Sequence, residues 1–135
     1  METTKKVLIW IWIIRLIAAI ILIQTLFFKF SAADESVYIF SKLGMEPYGR
    51  IGSGIVELIA AIAILWPKTS SYGALIGLGV MSGAIISHLT ILGVVVQNDG
   101  GQLFMLACVV WLCCMALIWF QKQQIISLFH KLLKT

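Results

Sequence analysis

Four apolar runs, roughly 7–28, 49–66, 72–96 and 103–120, occupy most of the chain and leave only short polar stretches between them. At ~1.5 Å of rise per residue each run forms a helix long enough to cross a ~30 Å hydrocarbon core. The chain is 61% hydrophobic and 12% charged, whereas a soluble domain carries about 25% charged residues. Its 135 residues leave no length for a second, soluble domain that would restore the balance. A soluble globular domain, a nucleic-acid binder and a disordered tail are thereby excluded. The sequence predicts an all-α integral membrane four-helix bundle, one transmembrane domain over residues 1–135 whose first partner is the lipid bilayer. The net charge of +4 then reports loop topology and not a nucleic-acid-binding patch.

Lys5 and Lys6 precede the first run and Ser31-Ala32-Ala33 follow it, the flanks of a signal peptide. A signal core has ~7–15 residues, but this run is longer, contains Arg15 and ends in Phe27-Phe28-Lys29-Phe30, so it is predicted to be a retained helix. With four spans, both termini share a side with the Pro67–Ser71 connection. That side carries Lys5, Lys6, Lys68, Lys122, Lys131 and Lys134 against Lys29, Lys42 and Arg50 on the other. The bias places the termini in the cytoplasm.

The first connection is the only long one, and a short interfacial helix is expected in it. Ser31 with Asp34 forms a capping-box pattern, Asp34 and Glu35 suit the positive end of a helix dipole, and Gly44 closes it. Val37, Phe40 and Leu43 would face the membrane surface. Asn98-Asp99-Gly100-Gly101 predicts a tight turn between spans three and four. The tail Gln121–Thr135 reads as an amphipathic helix, with Ile125, Ile126, Phe129, Leu132 and Leu133 on one face. Gly73/Gly77 and Gly79/Gly83 are small-xxx-small pairs, as are the small residues Gly52-Ser53-Gly54 and Ala60-Ala61 in effect. They predict close packing of spans two and three, with a homo-oligomer contact as the other use of such pairs.

An ionisable side chain at mid-membrane costs ~2.5–3.5 kcal/mol on insertion scales and so calls for a partner. Arg15 and Glu57 are the charges in the interior of a run, and His88 is a third titratable group. Counted from the cytoplasmic ends of antiparallel spans one and two, Arg15 and Glu57 both fall ~12–14 Å deep. They are expected to pair, either as a clamp between the helices or as part of a polar site. Arg50 shares a helical face with Glu57 through Ser53, and Lys29 shares one with Arg15. A polar track from the outer surface to the pair is therefore expected, with Lys29, Arg50, Ser53 and Asp99 as lining. His88 has Ala84, Met81 and Gly77 on its own side, leaving space beside it. Gln24, nine residues from Arg15, is turned away and need not face the same space.

No metal site is expected. One His, one Glu and Cys108, Cys113 and Cys114 do not have ligand spacing, and the cysteines lack a C-x-x-C arrangement. All three sit in the fourth run and are expected to be buried free thiols. No nucleophile elbow, metalloprotease, P-loop or dinucleotide motif is present, so no catalytic residue is assigned and no independent catalysis is expected. Trp10, Trp12, Trp66 and Trp119 fit an aromatic belt at the cytoplasmic boundary.

Arg15 in helix one, the Phe27-Phe28-Lys29-Phe30 exit, Gly54-Ile55-Val56-Glu57-Leu58, Met81-Ser82-Gly83-Ala84 leading to His88-Leu89-Thr90, and the Asn98–Gly101 turn follow one another across nearly the whole chain. In this order they resemble the DoxX-like family of small bacterial four-helix membrane proteins. The resemblance implies the bacterial inner membrane, a polar site at Arg15, Glu57 and His88, and a role beside redox enzymes. Described members are the membrane subunit of a thiosulfate:quinone oxidoreductase or a membrane partner of soluble redox and detoxifying enzymes. The expected function is an accessory or anchor subunit for a redox-enzyme partner, with quinone as the possible cofactor near His88. The alternatives are a small-solute or proton conduit using the Arg15/Glu57 pair, and a purely structural membrane protein.

Overall fold

The computed structural model describes residues 2–134, and within them the chain is helical with no strand. Six α-helices follow in order: α1 (Glu2–Phe30), α2 (Asp34–Lys42), α3 (Tyr48–Leu65), α4 (Ser70–Ser87), α5 (Gln102–Phe120) and α6 (Lys122–Leu133). A π-helical turn, His88–Leu92, continues α4. Four segments are long and apolar enough to cross a membrane: Lys5–Phe30, Tyr48–Leu65, Ser70–Leu92 and Gln102–Phe120. Their outward faces carry Ile20 and Phe27, Ile55 and Ile59, Ile86 and Leu89, and Met105 and Leu112, all exposed. Apolar surface of that extent on all sides marks a chain made to meet lipid.

α1 packs against α3 and α5, and α4 packs against the same two helices. The centre is filled by small and branched side chains, with Ala18, Leu22, Ala60, Ala61, Ile64, Ala74, Val110 and Cys114 fully buried. Close approach of α3 and α4 depends on Gly73. A Cβ there would stand 2.6 Å from the backbone nitrogen of Ile64 and 2.8 Å from the carbonyl oxygen of Ala60. At Gly77 the neighbour is the Cys114 sulfur on α5. The second small-xxx-small pair does no such packing, since a Cβ at Gly79 or Gly83 would meet nothing within 4 Å. Trp111 Nε1 donates to Ser82 Oγ at 3.0 Å, a polar tie between α5 and α4.

Several local expectations are corrected. Ser31 does not cap α2. Its N–H still bonds Phe27 O at 3.1 Å, so it belongs to the last turn of α1; Ala32 then takes φ 55° and Ala33 N–H returns to Phe28 O at 3.0 Å, which ends α1 by a left-handed reversal. α2 starts at Asp34 with no side-chain cap. Gly44, at φ 73°, closes the segment as expected. The third apolar run stays helical only to Leu92, because Gly93 takes φ 81° and ψ 165°, a conformation reserved for glycine. Val94–Val96 therefore form part of a loop, with Val96 buried beneath it. Gln97, Asn98, Gly100 and Gly101 all have positive φ and build the expected turn. The chain breaks again at Gln121, and α6 comes back against α4 as well as α5. Among the cysteines, all free, only Cys114 is buried; Cys108 and Cys113 are half-buried.

Candidate functional site

A cavity of about 420 Å³ occupies the end of the molecule away from the termini. α1 contributes Leu22, Gln24, Thr25 and Lys29, α3 contributes Ser53 and Glu57, and α4 with the π turn contributes Met81, Ala84, Ser87 and His88. α5 supplies Gln102, Leu106 and Val110. α2 lies across the top through Glu35, Ser36, Ile39 and Phe40. Phe40 and Ser36 are buried, so the face of α2 expected to lie on the membrane surface closes the cavity instead. The volume falls within the ~300–1,000 Å³ of small-molecule sites, and the lining is apolar with a few convergent polar groups, as in such sites.

The main correction concerns Glu57. It is 1% exposed and its ion pair is with Lys29, while Thr25 Oγ1 donates to Oε2 at 3.1 Å. Lys29 also lies over the Phe40 ring, 5.6 Å from its centre. Arg15 does not pair with Glu57. It is 4% exposed, donates from Nε to Ser70 Oγ at 3.1 Å and stacks 4.7 Å from the centre of the Trp12 ring. The cause is register. Arg50 donates to the carbonyl oxygen of Lys29 and Phe30 lies against Gly54, so the C-terminal end of α1 and the N-terminal part of α3 are tied together. α1 has 29 residues and α3 has 18; the surplus of about eleven residues, ~16 Å of rise, lies at the far end. Matching the two helices from the N-terminal end of α1 and the C-terminal end of α3 therefore places Arg15 too deep, and it comes level with the first turn of α4.

The expected track from Arg50 through Glu57 to Arg15 is interrupted for the same reason. Ala18 and Leu22 on α1, Ala60, Ala61 and Ile64 on α3, and Ala74 on α4 are fully buried between the Glu57 and Arg15 positions. Of the expected lining, Lys29 and Ser53 face the cavity; Arg50 and Asp99 stand outside it. Arg50 is bound by Glu46, with Nε at 2.9 Å from Oε1. It also binds the C-terminal carbonyl end of α1, where a cation is favoured. Gln24, expected to be turned away, is in the lining. Thr25 and Gln102 were not singled out by the sequence reasoning; the i, i+4 spacing of Thr25 and Lys29 was the available signal.

His88 is 5% exposed and marks the start of the π turn. Such turns widen a helix and recur at functional sites. Its Nδ1 is 2.9 Å from Gly93 O, and its ring meets Phe104 edge to face at 5.6 Å. Asp99 sits nearby and accepts from the N–H groups of Val96 at 3.0 Å, Gly101 at 2.8 Å and Leu103 at 3.2 Å. Burial works against its charge, but those three bonds and His88 together hold the carboxyl below the usual carboxylate range. At the rim, burial and then the charge of Asp99 push Glu35 above that range. Among the described residues no three His, Cys, Asp or Glu side chains gather as a metal-ligand set. No family model, curated protein or solved structure matches the chain.

Proposed function

We propose that this is a multi-pass protein of the bacterial inner membrane with cytoplasmic termini. In this reading the four apolar helices form a transmembrane bundle, α2 lies at the outer interface, and the tail helix α6 lies on the cytoplasmic one. The protein acts as an accessory or anchor subunit for a redox-enzyme partner, the role suggested by the resemblance to DoxX-like proteins, and its cavity takes an amphipathic ring compound of the quinone class. One observation carries the reading: a cavity of about 420 Å³ that joins the buried Lys29–Glu57 pair and His88 to an apolar floor. Such a space suits a polar ring head with an apolar tail. The separation of Arg15 from Glu57 favours this reading over a conduit that uses the two as a pair.

The test is native extraction of the full chain into polymer nanodiscs, with the bound small molecules and proteins identified by mass spectrometry. Recovery of a quinone-class molecule that is lost on Ala84→Phe, which fills the cavity, supports the reading. Repeated recovery of the protein with neither a quinone-class molecule nor a redox enzyme refutes it and leaves a structural role.

A further inference from the structure

The two ends of the molecule differ in charge. Lys5, Lys6, Lys68, Lys122, Lys131 and Lys134 stand exposed at the end that holds the termini, where Glu2 is the one acidic residue among the described residues. The cavity end has the reverse balance, with Asp34, Glu35, Glu46, Glu57 and Asp99 against Lys29, Lys42 and Arg50. Trp10, Trp12, Trp66 and Trp119 are exposed at the basic end as well, as in an aromatic belt where a bilayer meets water. α6 concentrates both features. The chain breaks at Gln121, so α6 leaves the axis of α5 and returns against α4. Residues 121–135 contain Lys122, Lys131 and Lys134 and no Asp or Glu. Ile125, Leu128, Phe129 and Leu132 follow the i, i+3, i+4, i+7 spacing of one helical stripe, with Lys131 and Lys134 on the opposite side. Ile125 is half-buried, but Phe129 is 62% exposed and Leu133, at the edge of the stripe, 69%. Lys122 Nζ lies 4.5 Å from the centre of the Trp119 ring, which brings the first cation of α6 to the level of the belt. A helix of 12 residues is marginal in water on its own, and this one keeps much of its apolar stripe outside the protein.

We infer that α6 is a docking helix for anionic phospholipid, with its apolar stripe among the acyl chains and its lysines on the headgroup phosphates. The inference rests on the interfacial placement of α6 proposed above, is independent of the cavity, and adds the headgroup charge that α6 selects. A bilayer matches both sides of α6 at one level, since long lysine side chains lay their stems along the apolar layer and lift the ammonium group to the phosphates. A second copy of the chain would instead bring lysines against lysines. Each lysine near an anionic surface favours the bound helix about fivefold, so the three together distinguish anionic from zwitterionic lipid by about tenfold or more.

The test is hydrogen–deuterium exchange of the full chain, read by mass spectrometry on peptides from α6, in nanodiscs of phosphatidylcholine alone and of phosphatidylcholine mixed with phosphatidylglycerol. Exchange of α6 is expected to slow by about tenfold or more in the anionic bilayer, with peptides from α3 unchanged. Raising NaCl from about 0.1 to 1 M, which cuts the screening length from ~10 to ~3 Å, should remove most of the difference. The triple variant Lys122→Gln, Lys131→Gln and Lys134→Gln should do the same, and the salt series on the wild type stands as the test if that variant does not fold. Equally slow exchange in the two bilayers overturns the headgroup selectivity while leaving α6 at the interface. Fast exchange in both overturns the inference together with that placement and gives the basic face to a soluble partner; neither result touches the cavity as a ligand site. An undiminished preference for the anionic bilayer in the triple variant overturns the part assigned to the lysines.

Discussion

Replacing Lys29 by methionine keeps a long side chain against Phe40 and strips the charge from beside Glu57. Removing one partner of a buried ion pair costs ~3–5 kcal/mol, mostly because the other charge is left uncompensated. The Glu57 side chain is 2% exposed and that of Lys29 15%, so water at the lysine end screens part of the interaction; the expected loss is about 2–3 kcal/mol. Thr25 remains as a donor to Glu57, which keeps the loss below the upper end of that range. Glu57→Gln in the Lys29→Met background removes the stranded charge and should recover most of the stability, giving a coupling energy of about 2 kcal/mol in a double-mutant cycle. Arg15→Met combined with Glu57→Gln should instead be additive within ~0.5 kcal/mol, as for sites with no shared partner. Unfolding by dodecyl sulfate in mixed micelles, followed by circular dichroism, measures all five variants and the wild type. A coupling of about 2 kcal/mol between Arg15 and Glu57, with additivity at Lys29, would refute the register of α1 on α3.

Gly73→Ala should destabilise by about 1–3 kcal/mol, because its Cβ runs into the α3 backbone, whereas Gly79→Ala should be neutral or stabilising by about 0.4–1 kcal/mol; melting temperatures in detergent compare them. Asp99→Ala should cost about 1–2 kcal/mol, the range of a lost helix cap. Because folding lowers the Asp99 pKa, its ionic contribution is present above the unfolded carboxylate value of ~3.9 and is lost as pH falls through the lower folded one. The gap between wild type and variant should therefore hold at neutral pH and narrow only on strong acidification. Glu35 has the opposite sign: its raised folded pKa makes its charge a cost at neutral pH. Glu35→Gln should be stabilising there, and the gain should fade as pH falls through that raised value.

The four long apolar helices, the glycine-rich turn before α5 and the glycine closing α2 were legible in the sequence because each depends on local chemistry: apolar length, or a backbone conformation that few residues adopt. The termination of the third helix at Leu92 was not, although Gly93 stood in the run; its apolar neighbours Val94–Val96 read as span, and only the loop that buries Val96 shows why they are not helical. Candidate residues were found by a one-body rule, that charge in an apolar run must be compensated, and this picked out Arg15, Glu57 and His88 without error about their burial. Pairing is a two-body property and depends on register between helices of unequal length. Nothing in the sequence states how far α1 overshoots α3, so Glu57 was assigned the wrong cation even though Lys29 was among the residues considered.

That change of partner alters what the polar residues can do. A pair at Arg15 and Glu57 would have linked the two halves of the molecule through its centre. With Glu57 held by Lys29 and Thr25, the polar groups separate into two sets. Lys29, Glu57, His88 and Glu35 surround the cavity at one end, and Arg15 with Ser70 lies at the other. The alanines, Leu22 and Ile64 between them are fully buried and offer no hydrogen-bonding side chain, so an ion passing from one set to the other would cross a stretch with nothing to replace its hydration. In the proposed role, this arrangement would hold a ligand from one side. α2 lies over that side on a left-handed alanine and a left-handed glycine, its Phe40 inserted above the ion pair, and exchange of a ligand must pass α2 or the seams between α1, α4 and α5. In the proposed role, the cavity end, and not the Arg15 end, is therefore where a partner that delivers or removes the ligand would dock.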